Sequence, residues 1–278
     1  KPRENVNGIW LTAHLEDIKR LISLLDNQLG KSSSPIAVRA GAIEGRTEGE
    51  IKKIQESLAV VSGFQHPVSF NYVVPMYKEE DRLRDEDAFG IKVAQLQRLK
   101  QANPDNIYWR LIMVDDDPVV SGSIASVKIR WEEILDTEKW LHPGQVRTIV
   151  VDGKKKAELQ AKKGLAVRNG FELALREDED FMPGENFYGF SDLDDSTNLI
   201  LSGSLGKPLY YRRADVAIAS IRCPGADSYN VPARRSVSSR VFVEYVHLVL
   251  PLLRDLKDTQ RGCKFFTEEA ITEILRCT

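Results

Sequence analysis

The sequence is poor in cysteine: there are three, Cys223, Cys263 and Cys277, an odd number with no CxxC spacing. That excludes a disulfide framework and a structural zinc site, and it fits a reducing cytoplasm. No run approaches the roughly 20 apolar residues that cross a bilayer, so the chain reads as soluble, or as touching a membrane only at its surface. There is no excess of one charge either. A formal net charge of -2 removes the global attraction on which non-specific nucleic-acid binders rely, and any anion must be gripped locally. The chain opens at Lys1 with no apolar signal segment, as a trimmed chain or a domain cut from a longer one does. Internal repeats and low-complexity segments are also absent. What is present is globular: 42% hydrophobic and 29% charged residues over 278 positions, enough for one large unit with an extension.

Leu15, Ile18, Ile22, Leu25 and Leu29 fall at helical spacing, and Gly30 with the Ser32-Ser33-Ser34-Pro35 run closes that helix. A second helix is expected over Glu48 to Val61, with Ile51, Ile54, Leu58 and Val61 on one stripe. Residues 1–68 thus read as a helical N-terminal extension without a chemical motif, a packing element or a homodimer contact. From Phe70 the texture changes. Short apolar runs at Tyr72 to Pro75, Leu111 to Val114, Val146 to Val151, Phe187 to Phe190 and Val216 to Ala219 alternate with helical stretches such as Asp87 to Lys100. This predicts an α/β domain over 69–278 with a mostly parallel sheet, where ligands sit beyond the C-terminal ends of the strands.

Three runs end in polar clusters. Asp192 and Asp194 flank one residue past an expected strand end, and two carboxylates so placed suit Mg2+ or Mn2+ shared with substrate phosphates. The bland reading is a turn or helix cap through Asp195-Ser196-Thr197. Lys162-Lys163-Gly164, with Arg168 beyond, opens a helix and offers a diphosphate both cations and backbone N–H groups; a solvated basic face is the plain alternative. Asp115-Asp116-Asp117 suits a ribose or base, or simply a turn before Pro118. Asp258-Thr259-Gln260-Arg261-Gly262 follows an apolar segment and serves equally as a helix end.

In order, these segments resemble a known family. Val73-Val74-Pro75-Met76-Tyr77-Lys78-Glu79-Glu80-Asp81-Arg82-Leu83 is similar to the opening strand and loop of GT-A fold glycosyltransferases. It resembles in particular the dolichyl-phosphate glucosyltransferase and mannosyltransferase group, which is glycosyltransferase family 2-like. Val114-Asp115-Asp116-Asp117 resembles the family's nucleoside-binding turn, Lys163 to Arg168 its diphosphate segment, and Ser191-Asp192-Leu193-Asp194 its metal-binding D-x-D. Ala219-Ser220-Ile221-Arg222 resembles a later Gly-Ser-Arg stretch, and Asp258 to Phe266 resembles an Asp-Thr-Gln-x-Gly-x-Lys-x-Phe signature, the most specific match.

The resemblance implies that Pro75, Tyr77 and Glu79 line a nucleotide pocket and that Asp115 and Asp116 contact base or ribose. It implies Lys163 and Arg168 on the diphosphate, Asp192 and Asp194 on the metal, and Arg222 and Gln260 facing sugar or acceptor. Lys78 stands where the family has asparagine and Leu165 where it has a second glycine.

The implied reaction moves a sugar from a nucleoside-diphosphate sugar to a hydroxyl or phosphate acceptor, aided by Mg2+ or Mn2+; resemblance to an inverting group favours inversion, and retaining enzymes share the fold. Asp258 is the candidate base for a hydroxyl acceptor. The rivals are a haloacid-dehalogenase-like phosphatase using Asp192 and Asp194, and a non-catalytic nucleotide-sugar binding module. Val241 to Leu256 is too short to span a bilayer and reads as a core helix or as one lying on lipid.

Overall fold

The computed structural model describes residues 35–116, 122–151, 163–177, 182–194, 197–220, 243–246, 248 and 262–277. The helix expected over Leu15 to Leu29, the residues Asp117, Lys162, Arg222, Asp258 and Gln260, and most of Val241 to Leu256 lie outside them. Of that last segment, Val243 is buried and Tyr245 and Leu248 are exposed.

The chain forms α1 (Pro35–Glu44), α2 (Glu48–Ser62), β1 (Val68–Met76), α3 (Glu80–Asp85), α4 (Ala88–Gln101), β2 (Ile107–Asp115), α5 (Gly122–Thr137) and β3 (Val146–Val150). It continues with α6 (Lys163–Arg176), β4 (Glu185–Phe190), α7 (Ser202–Tyr210), β5 (Val216–Ile218), β6 (Lys264–Thr267) and α8 (Glu268–Cys277). The six strands make one sheet in the order β3-β2-β1-β4-β6-β5. β1 to β4 run parallel, β6 pairs antiparallel to both neighbours, and helices cover both faces. This is an α/β fold with a mostly parallel sheet, as the alternation of runs predicts.

Period-two alternation assigns each strand residue to a face. On one side Phe70, Tyr72, Val74 and Met76 of β1 join Trp109, Leu111 and Met113 of β2 under α2, α4, α5 and α7. Phe265 meets Tyr72 edge-on at 5.4 Å and Phe70 at 5.8 Å, the geometry that aromatic quadrupoles favour. On the other side Val73, Ile112 and Val114 pack with Leu165, Ala166, Phe171 and Ala174 of α6, and with Ile271 of α8. Each fully buried side chain of this size contributes roughly 1.5–3 kcal/mol, so neither layer is dispensable.

The extension's second helix is part of that first layer. Thr47 caps α2 by accepting from the Glu50 N–H at 3.1 Å, and Ile54 and Val61 enter the core beneath the sheet. The Ser57 hydroxyl donates to the Ile200 carbonyl at 2.6 Å. A Cβ on Gly203 would stand 2.6 Å from the Ser57 carbonyl oxygen, so glycine is what lets α7 lie against α2. No helix among the described residues is long and apolar enough to cross a membrane.

One reversal of strand order sets up a crevice. From β1 the chain steps to β2 and β3 on one side, then returns to place β4 on the other side of β1. The connections leaving β1 and β4 therefore diverge at the C-terminal edge, which is where open α/β sheets hold ligands.

Candidate active site at the switch point of the sheet

A cavity of about 230 Å³ opens at that edge, lined by Pro75, Met76, Tyr77, Glu79, Arg82, Asp116, Lys163, Asp192, Leu193 and Asp194. Four stretches far apart in sequence meet there, each delivered by a strand end or a helix start. Asp116 follows β2 and its N–H bonds the Met76 carbonyl at 2.8 Å. Asp192 and Asp194 follow β4, and the Ser191 N–H bonds the Val73 carbonyl at 3.1 Å.

Lys163 is the first described residue of α6, and close packing sets how that helix lies on the sheet. A Cβ on Gly170 would lie 2.4 Å from Val73 Cγ1, so only glycine lets α6 settle this deeply on β1 and aim its N-terminus at the cavity. The Lys163 ammonium forms an ion pair with the Asp192 carboxylate. Burial lowers the pKa of this lysine, with the Asp194 charge opposing and Lys264 adding to the fall.

Glu79 pairs with Arg82 at 2.8 Å. Burial holds its carboxyl above the usual range, Arg82 opposing and Asp194 reinforcing the rise. Tyr77 stands at the rim, half exposed. Lys78 adopts φ 55, a left-handed conformation that asparagine accepts far more readily than lysine. Lysine therefore bears local strain at this position.

Pro75, Tyr77, Glu79, Asp116, Lys163, Asp192 and Asp194 therefore share one cavity. Other sequence-stated candidates stand elsewhere. Asp115 is buried within the end of β2, between Met76 and Val150. Arg168 pairs with Glu172 one turn along α6 at 2.9 Å and is not among the lining residues. Leu165 is buried in the second core layer, so its side chain takes no room from the cavity.

Gly262 comes from the C-terminal signature, and a Cβ there would stand 2.5 Å from Asp192 Oδ2. Gly262 therefore backs directly onto Asp192.

Lys92 is the residue that pattern reading misses. It lies on α4, fully buried, and donates to the Thr197 carbonyl at 2.7 Å. Burial brings its ammonium down to about 8, against the pull of Asp194. It thereby fastens the chain just beyond the acidic pair. Gln95 and Asn198 continue the tie: Gln95 accepts from the Leu199 N–H at 3.0 Å, and both side chains donate to the Ala42 carbonyl at the end of α1.

Among the described residues no three His, Cys, Asp or Glu side chains gather as an all-protein metal cage. Two carboxylates opening on one cavity are instead what a hard divalent ion uses when phosphates complete its shell. The Lys163 ammonium on Asp192 shows that the site accommodates positive charge. No protein-family model matches the chain, and no curated protein matches it.

Proposed function

We propose that the chain is a metal-dependent glycosyltransferase of the GT-A type, similar to the family 2-like dolichyl-phosphate sugar transferases. One observation carries the reading. Four of the separated segments that resemble that group open on the same crevice, with two carboxylates and a helix-starting lysine facing each other across it.

The donor is a nucleoside-diphosphate sugar. Asp116 and Tyr77 face its nucleoside, while Lys163 and the N–H groups that open α6 face its diphosphate. Asp192 and Asp194 hold Mg2+ or Mn2+, which supplies charge neutralisation to the departing diphosphate. In the reaction an acceptor oxygen forms a bond to the anomeric carbon as the bond from that carbon to the β-phosphate oxygen breaks, with inversion. The electron pair leaves on the phosphate, where Lys163 stabilises it. A phosphate acceptor brings its own negative charge. A hydroxyl acceptor passes its proton to a carboxylate, for which Asp258 is the candidate by resemblance. Arg222 and Gln260 are the corresponding candidates for sugar or acceptor contacts. Arg168 is paired on α6 and has no part in this scheme. The working place is the cytoplasm or its membrane surface.

Thermal-shift measurements against UDP-, GDP- and ADP-sugars with and without Mn2+ test the donor site. A ligand at a hundredfold its Kd adds about 2.7 kcal/mol, which for a domain of 150–250 residues corresponds to a rise of about 5–10 °C in Tm. We expect one donor to give such a rise only with Mn2+, and Asp194→Ala to abolish it. Phosphate release from simple monoesters without any donor shift would turn the assignment to a phosphatase. A shift without sugar transfer to any acceptor would make the chain a binding module.

A further inference from the structure

Glu79 and Asp192 of this cavity are each paired with a cation of the protein, and the cations in and behind the cavity differ in how firmly they are held. Arg82 reaches Glu79 at 2.8 Å and Glu86 at 3.4 Å from one helical turn. Lys92 is fully buried, with the Thr197 carbonyl as its acceptor. Lys163 stands apart: its side chain is 50% exposed, it begins a helix, and it carries a point charge on a flexible four-carbon stem. Among the described residues its ion pair is with Asp192, one of the two carboxylates proposed for the metal.

A single carboxylate cannot serve an ammonium and a divalent ion equally well. The two cations repel across it, and each lowers the charge the other sees. A nucleoside diphosphate changes that balance. It carries more negative charge than Asp192 and would lie beside the N–H groups that open α6, within the sweep of the same side chain.

We infer that Lys163 is an exchangeable cation: it neutralises Asp192 until a diphosphate draws its ammonium away, and that transfer releases Asp192 to the divalent ion. Metal and diphosphate then bind as a coupled pair, each poorly alone. The inference rests on the donor reading above and adds to it an order and a reason for the coupling. By linkage the enhancement is reciprocal, and couplings of this kind run to about 5–150-fold.

The test is Mn2+ titrated into the full chain without nucleotide, free ion being read from its electron paramagnetic resonance signal. Lys163→Met keeps the stem and removes the charge; it should bind Mn2+ alone about tenfold more tightly than the parent protein. The same variant should bind UDP, GDP or ADP without metal more weakly and show a smaller mutual enhancement, the remainder being the direct metal–phosphate contact. Lys163→Arg, which keeps a cation, should resemble the parent in Mn2+ alone.

Equal or weaker Mn2+ binding by Lys163→Met overturns the exchange, because a lysine that merely touched phosphate would leave the metal-only affinity where it was. In that case Mn2+ and nucleotide can still bind the parent protein together through direct metal–phosphate contact, and the donor reading survives. If the parent protein binds no nucleoside diphosphate at any Mn2+ concentration, the donor reading fails and takes this inference with it.

Discussion

Arg110→Met is expected to lower the unfolding free energy by about 3–5 kcal/mol, the range found when one partner of a buried charge network is deleted. The side chain is 2% exposed and ties three elements together. Its Nε donates to Asn71 Oδ1 at 2.9 Å and one terminal nitrogen donates to the Ala174 carbonyl at 2.7 Å. The other donates to the Glu177 carbonyl at 3.2 Å. The guanidinium thus satisfies carbonyls at the end of α6 that a helix leaves without partners, and anchors them to β1 and β2. Methionine restores volume but leaves the Ala174 carbonyl and Asn71 oxygen buried and unsatisfied. Urea denaturation reads the loss directly. A change below about 1 kcal/mol, the size of an ordinary surface substitution or less, would show that the network contributes little.

Gly262→Val should do the opposite, sparing stability and damaging the site. The added Cβ would stand 2.5 Å from Asp192 Oδ2 and 3.1 Å from its Cγ, so the carboxylate must swing away, and it already holds Lys163 through Oδ1. Moving one short side chain costs the fold little. It removes half of the acidic pair from the cavity, and displacement of supporting contacts around a metal costs about 10–100-fold in affinity. Calorimetry of nucleoside diphosphate binding in Mn2+ should show a loss of that order, with an unaltered melting curve. Unchanged affinity would mean that Asp192 is not required where it stands.

Much of this arrangement is legible in the sequence because the signals are local. Apolar runs mark five of the strands, and the helix expected over Asp87 to Lys100 is observed as Ala88–Gln101. β6 escapes the pattern because Lys264–Thr267 holds only two apolar residues, Phe265 and Phe266, between polar ones, and its antiparallel insertion between β4 and β5 depends on distant pairing. Arg110 and Lys92 escape for a different reason. A charged residue inside an apolar segment looks the same whether it reaches water or a buried carbonyl, and only tertiary packing decides.

Five residues on from Lys163, Arg168 lies about 140° round an α-helix, so the two cations leave the helix on different sides. Gly262 illustrates the reverse case. The resemblance singles out its segment, and its physical reason, closeness to a carboxylate seventy residues away in the chain, appears only in three dimensions.

The most direct measurement of the central claim is a crystal structure grown with Mn2+ and a nucleoside diphosphate, with anomalous scattering collected for manganese. The account predicts a single strong peak held by Asp192 and Asp194 together with phosphate oxygens, and Lys163 turned onto the diphosphate. Manganese found away from both carboxylates, or nucleotide bound elsewhere on the sheet, would contradict it.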